Sequence, residues 1–276
     1  MRRSLSSQPE SWRLSVRTPD SKALTEAGAI TAEVLDLIAD LATPGITTQE
    51  LDDIAEREIR RRGAVPAFKN HLGYPATICA SVNDAVVHGV PNEYALKDGD
   101  IVTIDLGAKV RGWYSDSALT VPVGEVSVEA TNLILVAVGA LEVAEGFVRP
   151  GSTTGDLGAA VQSYVEGRGM SIIRDCSGHG VGQTLHEEPT IPNFGKPGKG
   201  TAFQLGMAVA VEPIIAAGDY HLRHAPDRWT LLTRDGSLAA HEEATFLVTD
   251  DEPILLTPVT RRLRGKKPAG RLGKVA

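Results

Sequence analysis

One segment of this chain is followed, 106 positions later, by a second copy of itself, and a duplicated segment predicts two similar structural halves before any motif is considered. The first copy, TPGITTQELDDIAEREIRRRG, runs from Thr43 to Gly63; the second, RPGSTTGDLGAAVQSYVEGRG, runs from Arg149 to Gly169. The constant offset pairs Pro44 with Pro150, Gly45 with Gly151, Thr47 with Thr153, Thr48 with Thr154, Leu51 with Leu157 and Gly63 with Gly169.

Each copy carries the same local physics. Thr47 with Glu50, and Thr153 with Asp156, read as helix starts in which the hydroxyl caps free N–H groups and the acid reaches back. Leu51, Ile54, Ala55 and Ile59 recur at helical spacing, as do Leu157, Val161 and Val165, and a glycine closes each helix. A second helix is expected before each copy, through Ala29 to Leu41 and through Leu133 to Phe147. Strands follow: Ile101 to Leu106 and Ala118 to Val123 in the first half, Met207 to Val211 and Ala244 to Val248 in the second. The economical reading is two α+β halves facing each other across a shared sheet.

With 276 residues, 42% hydrophobic and 23% charged, the chain can bury a sizeable core. Its two cysteines, Cys79 and Cys176, lie far apart and form no paired framework, which argues against a disulfide scaffold or a cysteine zinc site and for a reducing, cytoplasmic setting. The longest apolar run, Leu133 to Leu141, is about half the roughly 20 residues that a membrane span requires. Polar residues from Ser4 to Ser11 stand where a signal peptide would be apolar. The net charge of −7 is unevenly spread, because Arg261, Arg262, Arg264, Lys266, Lys267, Arg271 and Lys274 form a tail without a single acid and leave the rest at −14. Such a tail either binds RNA or another polyanion or is a solvated end.

IVTIDLGAKVRGWYSDSALTVPVG reads as a β-hairpin turning near Val110, Arg111 and Gly112. With Val110 and Arg111 as a two-residue turn, Asp105 and Asp116 stand directly opposite. Facing carboxylates repel, and burying them requires a cation or a proton. In SGHGVGQTLHEEP, glycines on both sides of His179 let the backbone bring its imidazole close to a partner, and His186 follows seven residues later. Glu212 ends the run MAVAVE before Pro213, and Glu243 leads into ATFLV. Each acid alone suits a surface strand end. As a set with His179, they are hard ligands of the kind that hold paired divalent manganese, iron, cobalt or zinc. Two such ions share a water, lower its pKa and stabilise charge developing on a carbonyl under attack.

In this order and context, SVNDAVVHGVP, TIDLGAKVRGWYSDS, SGHGVGQTLHEEP, AVAVEPI and AAHEEATFLVT resemble the type I methionine aminopeptidases, from about Thr18 to about Pro258. The resemblance implies the duplicated α+β pita-bread fold, with a central antiparallel sheet and helices on its outer face. Its pseudo-symmetric halves would span about 18–124 and 125–258, between an extension at 1–17 and a basic tail at 259–276. It further implies two divalent metal ions: Asp105 on one, His179 and Glu212 on the other, Asp116 and Glu243 bridging. His88 would stand beside the scissile amide nitrogen and His186 would contact the substrate carbonyl, with Glu212 shuttling a proton. By position, Phe68, His71, Tyr74, Cys79, Leu185 and Trp229 would line the methionine pocket. The family often has Cys, Tyr and Phe where this chain has Phe68, His71 and Leu185, and a Tyr-Glu-His-Thr pattern where it has HEEAT.

The implied reaction is release of the initiator methionine from a nascent or newly made polypeptide with a small second residue, by a monomer with no DNA or membrane partner. Two other readings share the fold: a proline-directed aminopeptidase or prolidase, and a non-catalytic relative that contacts the ribosome through the basic tail. The first usually carries a large extra N-terminal domain; the second has no reason to keep five costly ligands.

Overall fold

The computed structural model describes residues 21–260, so the expected 1–17 extension and all seven basic residues of the tail lie outside the described residues. The first half consists of α1 (Ser21–Leu41), α2 (Thr48–Arg61), β1 (Val65–Pro66), β2 (Ile78–Val82), β3 (Ala85–Val87), β4 (Ile101–Val110) and β5 (Trp113–Pro122). The second begins with α3 (Val128–Glu145), α4 (Thr154–Glu166), β6 (Ser171–Ile172), β7 (Ser177–Gly180) and β8 (Glu187–Pro192). It continues through β9 (Ala208–Val211), β10 (Ile214–Ala216), β11 (Leu222–His224), β12 (Leu231–Thr233), β13 (Ala239–His241), β14 (Ala244–Leu247) and β15 (Ile254–Leu255).

The two copies of the repeat fold alike. Thr47 and Glu50 form a capping box at the start of α2, and Thr153 and Asp156 form the same box at the start of α4. Gly45 and Gly151 turn the chain ahead of these helices at φ +100° and +93°. Gly63 and Gly169 leave them at +79° and +75°, a left-handed conformation that costs any other residue. Thr47 bridges to Ala95 and Thr153 bridges to Ala202, so each capped helix is stitched to the chain that follows it in the same way.

Each helix pair covers the strands of its own half. Leu35 and Ile38 of α1 and Leu51 and Ile59 of α2 pack with Ile104, Leu106, Leu119 and Val121 of the β4–β5 hairpin. Leu133, Leu141, Leu157 and Val161 pack with Val209 and Phe246 in the other half. Fully burying side chains of this size stabilises by about 1.5–3 kcal/mol each. The period of two then sends alternate residues of the hairpin to the face away from the helices: Thr103 and Thr120 share a 2.8 Å hydrogen bond between their hydroxyls, and Asp105 and Asp116 lie further along that face.

The hairpin differs from the expected one in its turn. Arg111 and Gly112 are the two central residues, with Val110 paired to Trp113. This turn needs positive φ at both central positions, and Arg111 at +48° and Gly112 at +88° provide it, whereas β-branched Val110 resists that region. The one-residue shift pairs Asp105 with Ala118 and Asp116 with Gly107, so the two carboxylates are diagonal neighbours rather than directly opposed.

The halves join along β5. Ala118 and Glu243 exchange backbone hydrogen bonds of 3.3 and 2.9 Å. The Thr120 hydroxyl donates to the His241 carbonyl and accepts from the His241 N–H, each at 2.9 Å, and Thr120 N–H donates to the Glu242 carboxylate at 3.1 Å. Nearby, the Thr245 hydroxyl accepts from Asp116 N–H at 3.0 Å and donates to the Asp116 carbonyl at 2.7 Å. A second crossing pairs β12 with β3, and an antiparallel sheet ordered β15-β14-β9-β7-β8 carries β7 between β9 and β8.

Because Thr245 is fully buried, removing its hydroxyl strands two backbone groups of Asp116. Thr245→Val is expected to destabilise by roughly 2 kcal/mol or more, and Thr245→Ser by less than about 1 kcal/mol, in urea unfolding. Equal stability of the two variants would contradict this account of the seam.

Candidate metal centre

Five polar side chains from five segments converge where the halves meet. Asp105 comes from β4 and Asp116 from β5; His179 comes from β7, Glu212 follows β9, and Glu243 lies between β13 and β14. His179 reaches the site because β7 is squeezed between its neighbours. A Cβ on Gly178 would stand 2.5 Å from the Ala210 carbonyl oxygen, and one on Gly180 would strike the carbonyl of Glu188. The close approach read from the flanking glycines is therefore between strands. The His179 ring is oriented by Nδ1, which donates to the Gly180 carbonyl at 2.9 Å and leaves the Nε2 lone pair facing Asp116 Oδ2 at 3.8 Å and Glu212 Oε1 at 3.9 Å. Those spans are too long for hydrogen bonds and fit two bonds of about 2.0–2.2 Å to one ion between them.

The carboxylates fall into overlapping groups. Asp105, Asp116 and Glu243 form one, and His179, Glu212 and Glu243 another; in each, one ligand atom per residue lies within 4.8 Å of the others. Glu243 belongs to both, and Asp116 also groups with His179 and His186. Asp105, Asp116 and Glu243 are all buried, and Oδ1 of each aspartate has no hydrogen-bond partner. Burial pushes both aspartates well above the usual carboxylate range, with Asp116 and Glu212 adding to the shift at Asp105 and Glu212 adding to it at Asp116. Orphaned buried oxygens with suppressed ionisation fit divalent cations, which satisfy lone pairs and charge together.

A cavity of about 160 Å³ opens beside these groups. Its apolar end is built from Phe68, Tyr74, Cys79 and Leu185, with Trp229 edge-on to Tyr74 at a ring separation of 5.2 Å. Cys79 is free, and burial followed by the charge of Asp105 pushes its thiol up, so it is a packing group rather than a nucleophile. His88 enters the cavity from a left-handed backbone, φ +58°, that is costly outside glycine. His186 stands against His179 with ring centroids 4.4 Å apart, and desolvation followed by the neighbouring imidazoles pushes its pKa down to about 4. His71 Nε2 lies 3.3 Å from His186 Nδ1.

The chain matches metallopeptidase family M24 over residues 22–250. A methionine aminopeptidase from Clostridium perfringens is 44% identical over 236 residues, which cover 85% of this chain and 94% of that protein. The crystal structure of a methionine aminopeptidase from Thermotoga maritima superposes with a TM-score of 0.85 at 38% identity, covering 87% of this chain and 98% of that one. This chain belongs to metallopeptidase family M24, among the methionine aminopeptidases. It has the α+β pita-bread fold of that family, and membership carries divalent metal use with it. An Xaa-Pro dipeptidase from Bacillus anthracis also superposes, with a TM-score of 0.72, but at 25% identity and over 63% of its length.

The structure gathers all five anticipated metal-centre side chains and both anticipated histidines, His88 and His186, around one cavity, and all six anticipated pocket residues line it. Sequence reasoning missed His241. Its ring is buried with Nε2 3.4 Å from Glu212 Oε2 and 3.9 Å from Glu243 Oε2. The available signal was its spacing of two from Glu243, since residues i and i+2 of an extended segment share a face.

A carboxyl group whose folded pKa lies above its unfolded one opposes folding once pH exceeds the unfolded value near 4, because only the unfolded chain gives up its proton freely. Metal-free Asp105→Asn protein is therefore expected to be more stable than metal-free wild type at pH 8. The gap should close as pH falls towards 4, while histidine contributions cancel between the two proteins. Urea midpoints across that range check it; a wild type more stable at pH 8 would overturn the assignment of strain to Asp105.

Proposed function

We propose that the chain removes N-terminal methionine from newly made polypeptides, using two divalent ions, cobalt, manganese, iron or zinc, held by Asp105, Asp116, His179, Glu212 and Glu243. The observation that carries the reading is the adjoining of two unlike surfaces in one cavity: a cluster of carboxylates with unsatisfied oxygens and an apolar end of Phe68, Tyr74, Cys79, Leu185 and Trp229. An unbranched thioether side chain suits such an apolar end, and its peptide bond then lies towards the polar groups.

When bound, the ions supply Lewis acidity and lower the pKa of the attacking water. The chain's own groups divide the remaining work. Glu212, with 12% of its side chain exposed, is more accessible than Asp116 or Glu243, which suits it to accept a proton from water and release it to the leaving amine. His186 donates an N–H to the carbonyl oxygen as negative charge develops there. His88, held at the cavity wall by its strained backbone, hydrogen-bonds the scissile amide. Phe68, Leu185 and Trp229 keep water from the methionine side chain, while His71 and Tyr74 complete the wall.

Proline-directed cleavage is the second reading on the same fold. The identity of 44% to a methionine aminopeptidase against 25% to an Xaa-Pro dipeptidase favours methionine release. A ribosome contact through the basic tail, action as a monomer and a cytoplasmic site of action belong to this same proposal; among the described residues no helix is long and apolar enough to cross a membrane.

His179→Ala and Glu243→Ala are expected to lose bound metal and Met-Ala-Ser cleavage together, whereas His186→Ala keeps its metal and loses roughly 10²–10³-fold in kcat. Parallel assays on Met-Ala-Ser and an Xaa-Pro peptide decide between substrates. Faster cleavage of the Xaa-Pro peptide, or full activity in either metal-centre variant, would refute the proposal.

A further inference from the structure

His71 sits at a position of the methionine pocket, yet its ring points at another histidine rather than into the apolar wall. Nε2 of His71 lies 3.3 Å from Nδ1 of His186, with the rings tilted by 49° and their centroids 5.2 Å apart. His186 in turn stacks edge-on to His179 at 4.4 Å, and one of its ring nitrogens lies within 4.8 Å of ligand atoms of both Asp116 and His179. With Nδ1 turned to His71, Nε2 is the nitrogen left for the cavity.

A neutral imidazole has one N–H and one lone pair, so whatever engages Nδ1 decides what Nε2 can do. If Nδ1 kept the proton, Nε2 would present a lone pair to a carbonyl oxygen, and two acceptors repel. The acidic cluster beside the cavity also favours an N–H on the side that faces it. Both demands are met when His71 Nε2–H donates and His186 Nδ1 accepts. The backbone holding His71 is built to keep it there: Asn70 at φ +68°, Leu72 at +50° and Gly73 at +90° are all left-handed. The turn is closed by Asn70 N–H to the Tyr74 carbonyl at 2.8 Å and Tyr74 N–H to the His71 carbonyl at 2.9 Å.

We propose that His71 is a positioning residue which, by donating Nε2–H to His186 Nδ1, holds His186 in the tautomer whose Nε2–H faces the substrate carbonyl. This rests on the reading of His186 as the donor to that carbonyl. It separates His71 from the rest of the pocket: the aromatic and aliphatic wall selects the methionine side chain, while His71 acts on the chemical step through a second imidazole.

The test uses zinc-loaded protein with ¹⁵N-labelled histidine, in which two-bond ¹H–¹⁵N correlations report which nitrogen of His186 is protonated. Wild type is expected to show His186 protonated on Nε2, and His71→Phe to show a mixture of tautomers. His71→Gln, whose side-chain amide N–H reaches the place of Nε2, should restore the wild-type pattern. On Met-Ala-Ser, His71→Phe should lower kcat by roughly 10- to 100-fold with KM within about twofold, and His71→Gln should recover most of the loss. A wild-type His186 protonated on Nδ1, or a His71→Phe protein with unchanged tautomer and kcat, overturns the proposal. The tautomer is read without turnover, so an unaffected kcat in His186→Ala would instead sink the reading of His186 as donor while leaving the His71–His186 bond standing.

Discussion

The mutual repulsion of buried carboxylates governs this molecule. Asp105, Asp116, Glu212 and Glu243 converge from four segments, and three of the four are almost wholly out of water. Two carboxylate oxygens have nothing to bond to. Left alone, such a cluster would drive the two halves apart, since an unpaired buried charge costs several kcal/mol. The fold resists by fixing the backbones that bear these side chains: Asp116 is clasped through both its N–H and its carbonyl by Thr245, and Glu243 is paired through its backbone to Ala118. The seam that joins the halves and the scaffold of the metal centre are therefore one set of hydrogen bonds.

That arrangement explains the duplication physically. Each half supplies a helix pair that covers one face of its own strands, so the opposite faces of the β4–β5 hairpin and of the β7–β9–β14 strands are free to carry polar groups towards each other. A single half would expose its acids to water, where they ionise without a need for cations. Facing each other, the halves gather the same residues into a cleft whose geometry suits divalent cations. The apolar cluster of Phe68, Tyr74, Cys79 and Leu185 closes one end of the cleft and gives it a direction, with a side-chain end and a reacting end.

Much of this was legible in local pattern. The repeat foretold paired capping boxes and paired left-handed glycines because those features depend on residues within a few positions of one another. The hairpin reading foretold that Asp105 and Asp116 would be neighbours across it. Its register was misplaced by one residue, because Val110-Arg111 and Arg111-Gly112 both break the apolar runs and only the backbone demand for positive φ separates them. The five residues proposed to hold metal were visible as a set largely through resemblance to a family, since single acids at strand ends resemble surface residues. Thr245 and Thr120 were not visible at all, because the residues of the seam that they bond lie more than 100 positions away in the other half; His241 left only its spacing of two from Glu243 as a signal. The His71–His186 contact spans 115 residues and was hidden for the same reason.

On the proposal above, the seam holds the two halves at the spacing that two cations between them require. Equilibrium dialysis of metal-free protein against manganese, with metal and protein quantified at saturation, tests it most directly. The account predicts two ions per chain. Saturation at one ion or fewer, with the protein folded, would contradict it.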